Sequence, residues 1–148
     1  MARGDFSIFE EFAENVGGGD HDFANDTLKL GLIDSTAAPT DADGTPTWGD
    51  YSANEVSAAA GYTAGGATLS SSSWTEASGV GTLDSTANIT WSQNASGFND
   101  AYYGILYNST HASSAAVGWL DMGGPVSQQA GDVSVTWSSS GILTITVS

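Results

Sequence analysis

Two histidines, seventeen carboxylates and no cysteine bound the chemistry open to this chain. His21 stands in Gly19-Asp20-His21-Asp22, where an imidazole and two carboxylates in a glycine-rich stretch supply ligand types for a divalent cation. Neighbours in sequence fix no coordination geometry, and the segment is expected to be a solvated turn. His111 follows Asn108-Ser109-Thr110 with no acid beside it, so it reads as a loop histidine rather than a general base. Asp34, Asp41 and Asp43 could converge in one long loop on an incidental calcium, but the alternating ligands and distal Glu of an EF-hand are lacking. No metal site and no cofactor are expected.

Catalytic signatures are equally sparse. Serine is abundant, yet no Gly-x-Ser-x-Gly elbow occurs to place one beside a base. Gly17-Gly18-Gly19 lacks the Lys-Ser/Thr that completes a phosphate loop, and Gly65-Gly66 precedes a strand-like run. Glycoside hydrolysis needs only two well-spaced acids, but Asp41, Asp43, Asp84 and Asp100 fall in turn contexts where Asp bonds its own backbone. Without cysteine there is neither a thiolate nucleophile nor a disulfide framework. The chain is expected not to be an enzyme.

Aromatic side chains are the other resource. Trp91 and Trp137 share strand parity with small or β-branched neighbours and are expected in the core. Trp48 follows Pro46 in a polar loop without apolar periodicity, which suits an interface anchor, and Tyr51, Phe6 and Phe9 join it as interface candidates. Loop aromatics also stack on sugar rings, so a carbohydrate-binding or adhesive β-sandwich module, including a tail or head-fibre component, is the alternative.

The elements that must position these residues are short strands. Val133, Val135 and Trp137 share one face, Ser138-Ser139-Ser140-Gly141 turns the chain, and Leu143, Ile145 and Val147 alternate again, which predicts a C-terminal hairpin. Thr27 to Ile33, Thr86 to Trp91, Tyr102 to Tyr107 and Ala116 to Asp121 read as further strands, the last ended by Gly123-Gly124-Pro125, and Ala67 to Trp74 as a weaker one. Phe6, Ile8, Phe9 and Phe12 fit a strand or a short helix. Ser52-Ala53-Asn54-Glu55 resembles a capping box ahead of Ala58, Ala59 and Ala60, with Gly61 as a stop. Asn88-Ile89-Thr90-Trp91 and Val133-Ser134-Val135-Thr136-Trp137 echo one another as two strands of similar chemistry. The fold class expected is all-β, an antiparallel β-sandwich or jelly roll with at most one short helix. Residues 1–29 are read as an N-terminal arm or first strands, open to swapping between subunits, and 30–148 as the sandwich, together one compact unit.

Composition narrows the partners. The net charge of -15 arises less from its 17 acids than from having only two basic residues, Arg3 and Lys29. Ser and Thr number 36 and supply most of the polar surface. A chain so poor in Lys and Arg cannot make the phosphate contacts behind nucleic-acid affinity, nor dock on anionic membranes. The Met1-Ala2-Arg3-Gly4-Asp5-Phe6 start lacks the apolar run of a signal peptide, so synthesis in a host cytoplasm is expected. Asn-x-Ser/Thr matches at Asn25, Asn88, Asn94 and Asn108 are then chance.

One stretch carries a resemblance. Glu55-Val56-Ser57, Gly61-Tyr62 and Gly65-Gly66 are followed by a strand ending in Trp, by Phe98-Asn99-Asp100-Ala101-Tyr102-Tyr103-Gly104-Ile105-Leu106-Tyr107-Asn108, and by Val117-Gly118-Trp119-Leu120-Asp121-Met122-Gly123-Gly124. Closed by Val133 to Val147, this order resembles small tailed-phage virion structural proteins of the capsid decoration, cement or head-tail accessory type. Residues 1–29 fit that pattern less well. The resemblance implies a non-enzymatic subunit on the outer capsid surface of the virion, bound to the major capsid protein as a homotrimer and stabilising the shell. No catalytic residue carries over.

Overall fold

The period-2 runs do become strands, and their antiparallel pairing makes the protein all-β. The computed structural model describes residues 3–147; Met1, Ala2 and Ser148, at the ends of the anticipated arm and sandwich, lie outside the described residues. The order is β1 (Phe6–Ile8), α1 (Phe12–Gly18), β2 (Leu28–Ile33), α2 (Trp48–Tyr51), a 3-10 turn (Ser52–Asn54), β3 (Ala67–Thr68), β4 (Ser72–Ala77), β5 (Val80–Ser85), β6 (Ile89–Trp91), β7 (Ala101–Asn108), β8 (Ala116–Val126), β9 (Val133–Val135) and β10 (Leu143–Thr146). Among the described residues a five-stranded sheet runs β1-β8-β7-β2-β3, a three-stranded sheet runs β10-β5-β4, and β6 pairs with β9.

The central sheet is buried on both faces, which explains why its strands read as nearly continuous apolar runs. Leu28, Leu30, Leu32, Leu106, Leu120 and Met122 face the main core, where Leu83, Ile89, Trp91, Val133, Val135 and Leu143 of the two smaller sheets meet them. Ile33, Ile105, Tyr107, Ala116 and Trp119 fill a second core on the opposite face, closed by Phe9 and by Trp48 and Tyr51 of α2. A bulge adjusts β8 to both. Leu106 pairs with Gly118 but Tyr107 with Ala116, so Val117 is the extra residue, pointing into the main core while Ala116 points into the second.

The N-terminal stretch takes both forms that its pattern allowed. β1 pairs with β8 through Phe6–Leu120, Ser7–Trp119 and Ile8–Gly118, after which Phe12 on α1 packs into the main core. The anticipated boundary after residue 29 therefore falls inside β2.

Three expectations about local structure are corrected, and a fourth gains a partner. The C-terminal segments form no hairpin: the turn is present, with Gly141 N–H donating to Ser138 at 3.0 Å, but β9 joins β6 and β10 joins β5. The two echoing segments are each other's partners, Ile89 opposite Val135 and Trp91 opposite Val133. The capping box belongs to Thr47 and Asp50 at the start of α2, and Ala58 to Ala60 are not helical, because Glu55 bridges to Ile33 and its carboxylate accepts from Tyr62 Oη and Gly65 N–H. β8 continues through Gly123-Gly124-Pro125 to Val126.

Candidate functional site

The candidate chemical groups of the sequence are built into the fold. His21 is the clearest case, since it is 8% exposed rather than a solvated turn. Its ring packs against both Phe12 and Phe23, with centroids at 5.8 and 5.4 Å and planes within 24° and 11°, and those two rings stand 5.9 Å from each other, so the three form a triangle. Both ring nitrogens are buried with no hydrogen-bond partner among the described residues. Burial depresses its pKa below the usual histidine value; the nearby His111 adds to this, while Asp20 and Asp26 oppose it. His111 Nε2 stands 3.6 Å from Asp20, a partner 91 positions away that local sequence could not suggest.

The long-loop acids are anchors. Asp41 accepts from Trp119 Nε1 at 3.0 Å, and its carbonyl accepts from Glu10 N–H, which ties the loop to β8 and to the approach to α1. Asp43 accepts from Thr40 N–H, Thr40 Oγ1 and Tyr51 Oη. Burial works to raise the Asp43 carboxyl, but those three bonds outweigh it and hold the pKa below the carboxylate norm. Asp34 turns instead to Thr36 N–H. Among the described residues no group of three or more His, Cys, Asp or Glu side chains could hold a metal ion.

Of the four interface candidates, two are held inside. Phe9 is 1% exposed and Tyr51 5%, and their rings stack at 6.2 Å. Trp48 is half-buried: its indole stacks on Tyr107 at 5.0 Å and 7°, lying across Gly31, where any β-carbon would collide with the ring. Phe6, also half-buried, covers Gly118 and meets Trp137 edge to face at 6.4 Å.

That last contact lies at a groove of about 570 Å³. Arg3 to Phe6 and the β8 residues Leu120, Asp121, Met122 and Val126 form one wall; Asp132 to Ser138, with Gly141 and Ile142, form the other. Val133 and Val135 are buried while Ser134 and Thr136 are exposed, yet all four line the groove. Residues from both faces of a strand border one opening only where its edge is presented. β9 pairs with β6 on one side, and no strand among the described residues occupies the other.

Two polar residues that sequence reasoning did not single out hold other parts of the scaffold. Gln128 is 1% exposed; its Nε2 donates to the Ala60 and Ser92 carbonyls at 2.8 Å each, and its backbone N–H to Phe98. Asn108, fully buried, donates to the Asp20 carbonyl and Asp26 Oδ2 and accepts from Thr110 and His111 N–H. The Asn-x-Ser/Thr match at Asn108 thus has its amide engaged within the fold.

Comparisons of the chain with protein-family models, with curated proteins and with solved structures find no match.

Proposed function

We propose that this protein is a non-enzymatic assembly subunit of a tailed-phage virion, a capsid decoration or cement protein that binds the major capsid protein on the outer shell and stabilises it. The observation that carries the assembly reading is the free edge of β9 beside the open groove. An unpaired strand edge is a template for another chain, and β9 is the sheet-edge strand whose residues line this groove from both of its faces. The virion assignment itself rests on the order of sequence pieces from Gly61-Tyr62 to Gly123-Gly124.

Uncompensated charge fits the same role. With 17 acids and two basic residues, free copies repel one another, so they come together where a shell sets their spacing. A trimer at each local three-fold axis would add avidity to a modest contact.

The deciding experiment strips the protein from purified particles and adds it back. Stoichiometric rebinding that raises the temperature or force at which shells rupture supports the reading. A protein absent from particles, or monomeric at tens of micromolar and indifferent to capsids, defeats it.

A further inference from the structure

We infer that the groove takes an extended, Lys- or Arg-bearing segment of a partner protein, which adds to the free edge of β9 as a new strand. The inference rests on the assembly reading and names the chemistry of the partner. Seven consecutive residues, Asp132 to Ser138, form one wall. Because both chains rise about 3.3 Å per residue, about seven residues of extended chain would run alongside them.

Three features select such an occupant. Backbone pairing comes first, because β9 has a partner strand on one side only among the described residues. Apolar lining comes second: Leu120, Met122, Val126 and Ile142 border the groove from its two walls and offer contacts to alternate side chains of an entering strand. Charge comes third. Asp121 and Asp132 stand on opposite walls, each engaging Oδ1 with a backbone N–H, of Gly123 and Gln93 respectively, with no second partner shown among the described residues. Arg3 is the one basic side chain on the rim. An acidic rim on a protein of net charge -15 disfavours a second copy of this chain and favours a strand whose outward residues are Lys or Arg.

A displayed library of random heptapeptides, selected against the immobilised full-length chain, tests this directly. The expected winners alternate apolar residues with Lys or Arg. A synthetic copy of the winner should slow amide exchange at 132–138, and methylating its backbone nitrogens on one edge should weaken binding by about tenfold or more. Asp121→Asn with Asp132→Asn should weaken it by about tenfold at low salt and less at high salt. No enrichment, winners without alternation, protection elsewhere in the chain, or unchanged binding after N-methylation overturns the inference. Capsid rebinding separates it from the broader reading. Rebinding that ignores both Asp substitutions and is not competed by the peptide leaves the virion role standing and removes the groove from it; peptide binding without rebinding does the reverse.

Discussion

Phe6 and Trp137 meet edge to face across the groove, with ring centroids 6.4 Å apart and planes at 87°. Through this contact the first strand touches the chain segment that leaves β9. Phe6 is held by Gly118 beneath it, since a β-carbon there would meet both the ring and the Ser7 carbonyl. Phe6→Ala should cost about 1–2 kcal/mol for a half-buried ring and shift Trp137 fluorescence to the red as water enters. Urea denaturation and emission spectra measure the two effects separately.

His21 should make stability fall in mild acid. Its pKa is depressed in the folded chain, chiefly by burial, so between that value and the ordinary 6.5 the unfolded chain binds the proton more readily. The contribution is complete above pH 6.5 and declines as pH falls below it. Urea midpoints measured between pH 7.5 and 5 should drop for the native chain. His21→Phe, which keeps an aromatic ring packed against Phe12 and Phe23, should flatten that slope, whereas an unchanged slope would assign it to other groups.

Gly31 and Trp48 should behave as one unit. Gly31→Ala drives the indole off the sheet and should cost about 1–3 kcal/mol, the usual penalty of overpacking. Trp48→Ala should cost about 2–3 kcal/mol through lost packing on Tyr107. In the double variant the two losses should fall short of their sum, because the clash disappears with the ring. If the carbohydrate reading were right, Trp48→Ala would instead abolish retention on a glycan array while leaving stability nearly intact.

Gln128→Ala should be among the most damaging polar substitutions. It leaves the half-buried Ala60 and exposed Ser92 carbonyls without their donor and empties the buried site of the Gln128 side chain, at a cost of about 1–3 kcal/mol. Thermal or urea denaturation gives the value.

Alkali should loosen the end of the sheet where Tyr107 donates to the Gly65 carbonyl at 2.7 Å. Burial, helped by the charge of Glu55, pushes the Tyr107 pKa up to about 12. The folded chain therefore keeps a proton that the unfolded chain loses near 10, and stability should decline as pH rises from 10 towards 12. Tyr107→Phe should lose about 1 kcal/mol at pH 8 and show a weaker alkaline decline.

These outcomes turn on contacts of very different legibility. The faces of β2, β7 and β9 could be read from alternation, because a side chain's face depends only on its parity along the strand. Their partners could not. The segments Val133 to Trp137 and Leu143 to Val147 carry the same pattern as a hairpin, yet each found a strand about 45 to 60 positions back. Alternation records which side must be dry and says nothing of which edge supplies the hydrogen bonds. β5 escaped notice for a related reason: Gly81 and Thr82 flatten its pattern, and Gly81 is small because Trp74 lies over it.

The sequence by itself determined the class of fold, the poverty of positive charge and the aromatic positions at Phe6, Trp48 and Trp137. These follow from composition and short-range period, which every residue carries with it. Only the tertiary structure decided that His21 is buried against Phe12 and Phe23, that Asp41 serves Trp119, that Phe9 and Tyr51 face inward, and that the free edge of β9 lines a groove. Each depends on groups brought together from distant parts of the chain, where apolar burial and the pairing of most buried polar atoms choose among arrangements that the local pattern leaves equal.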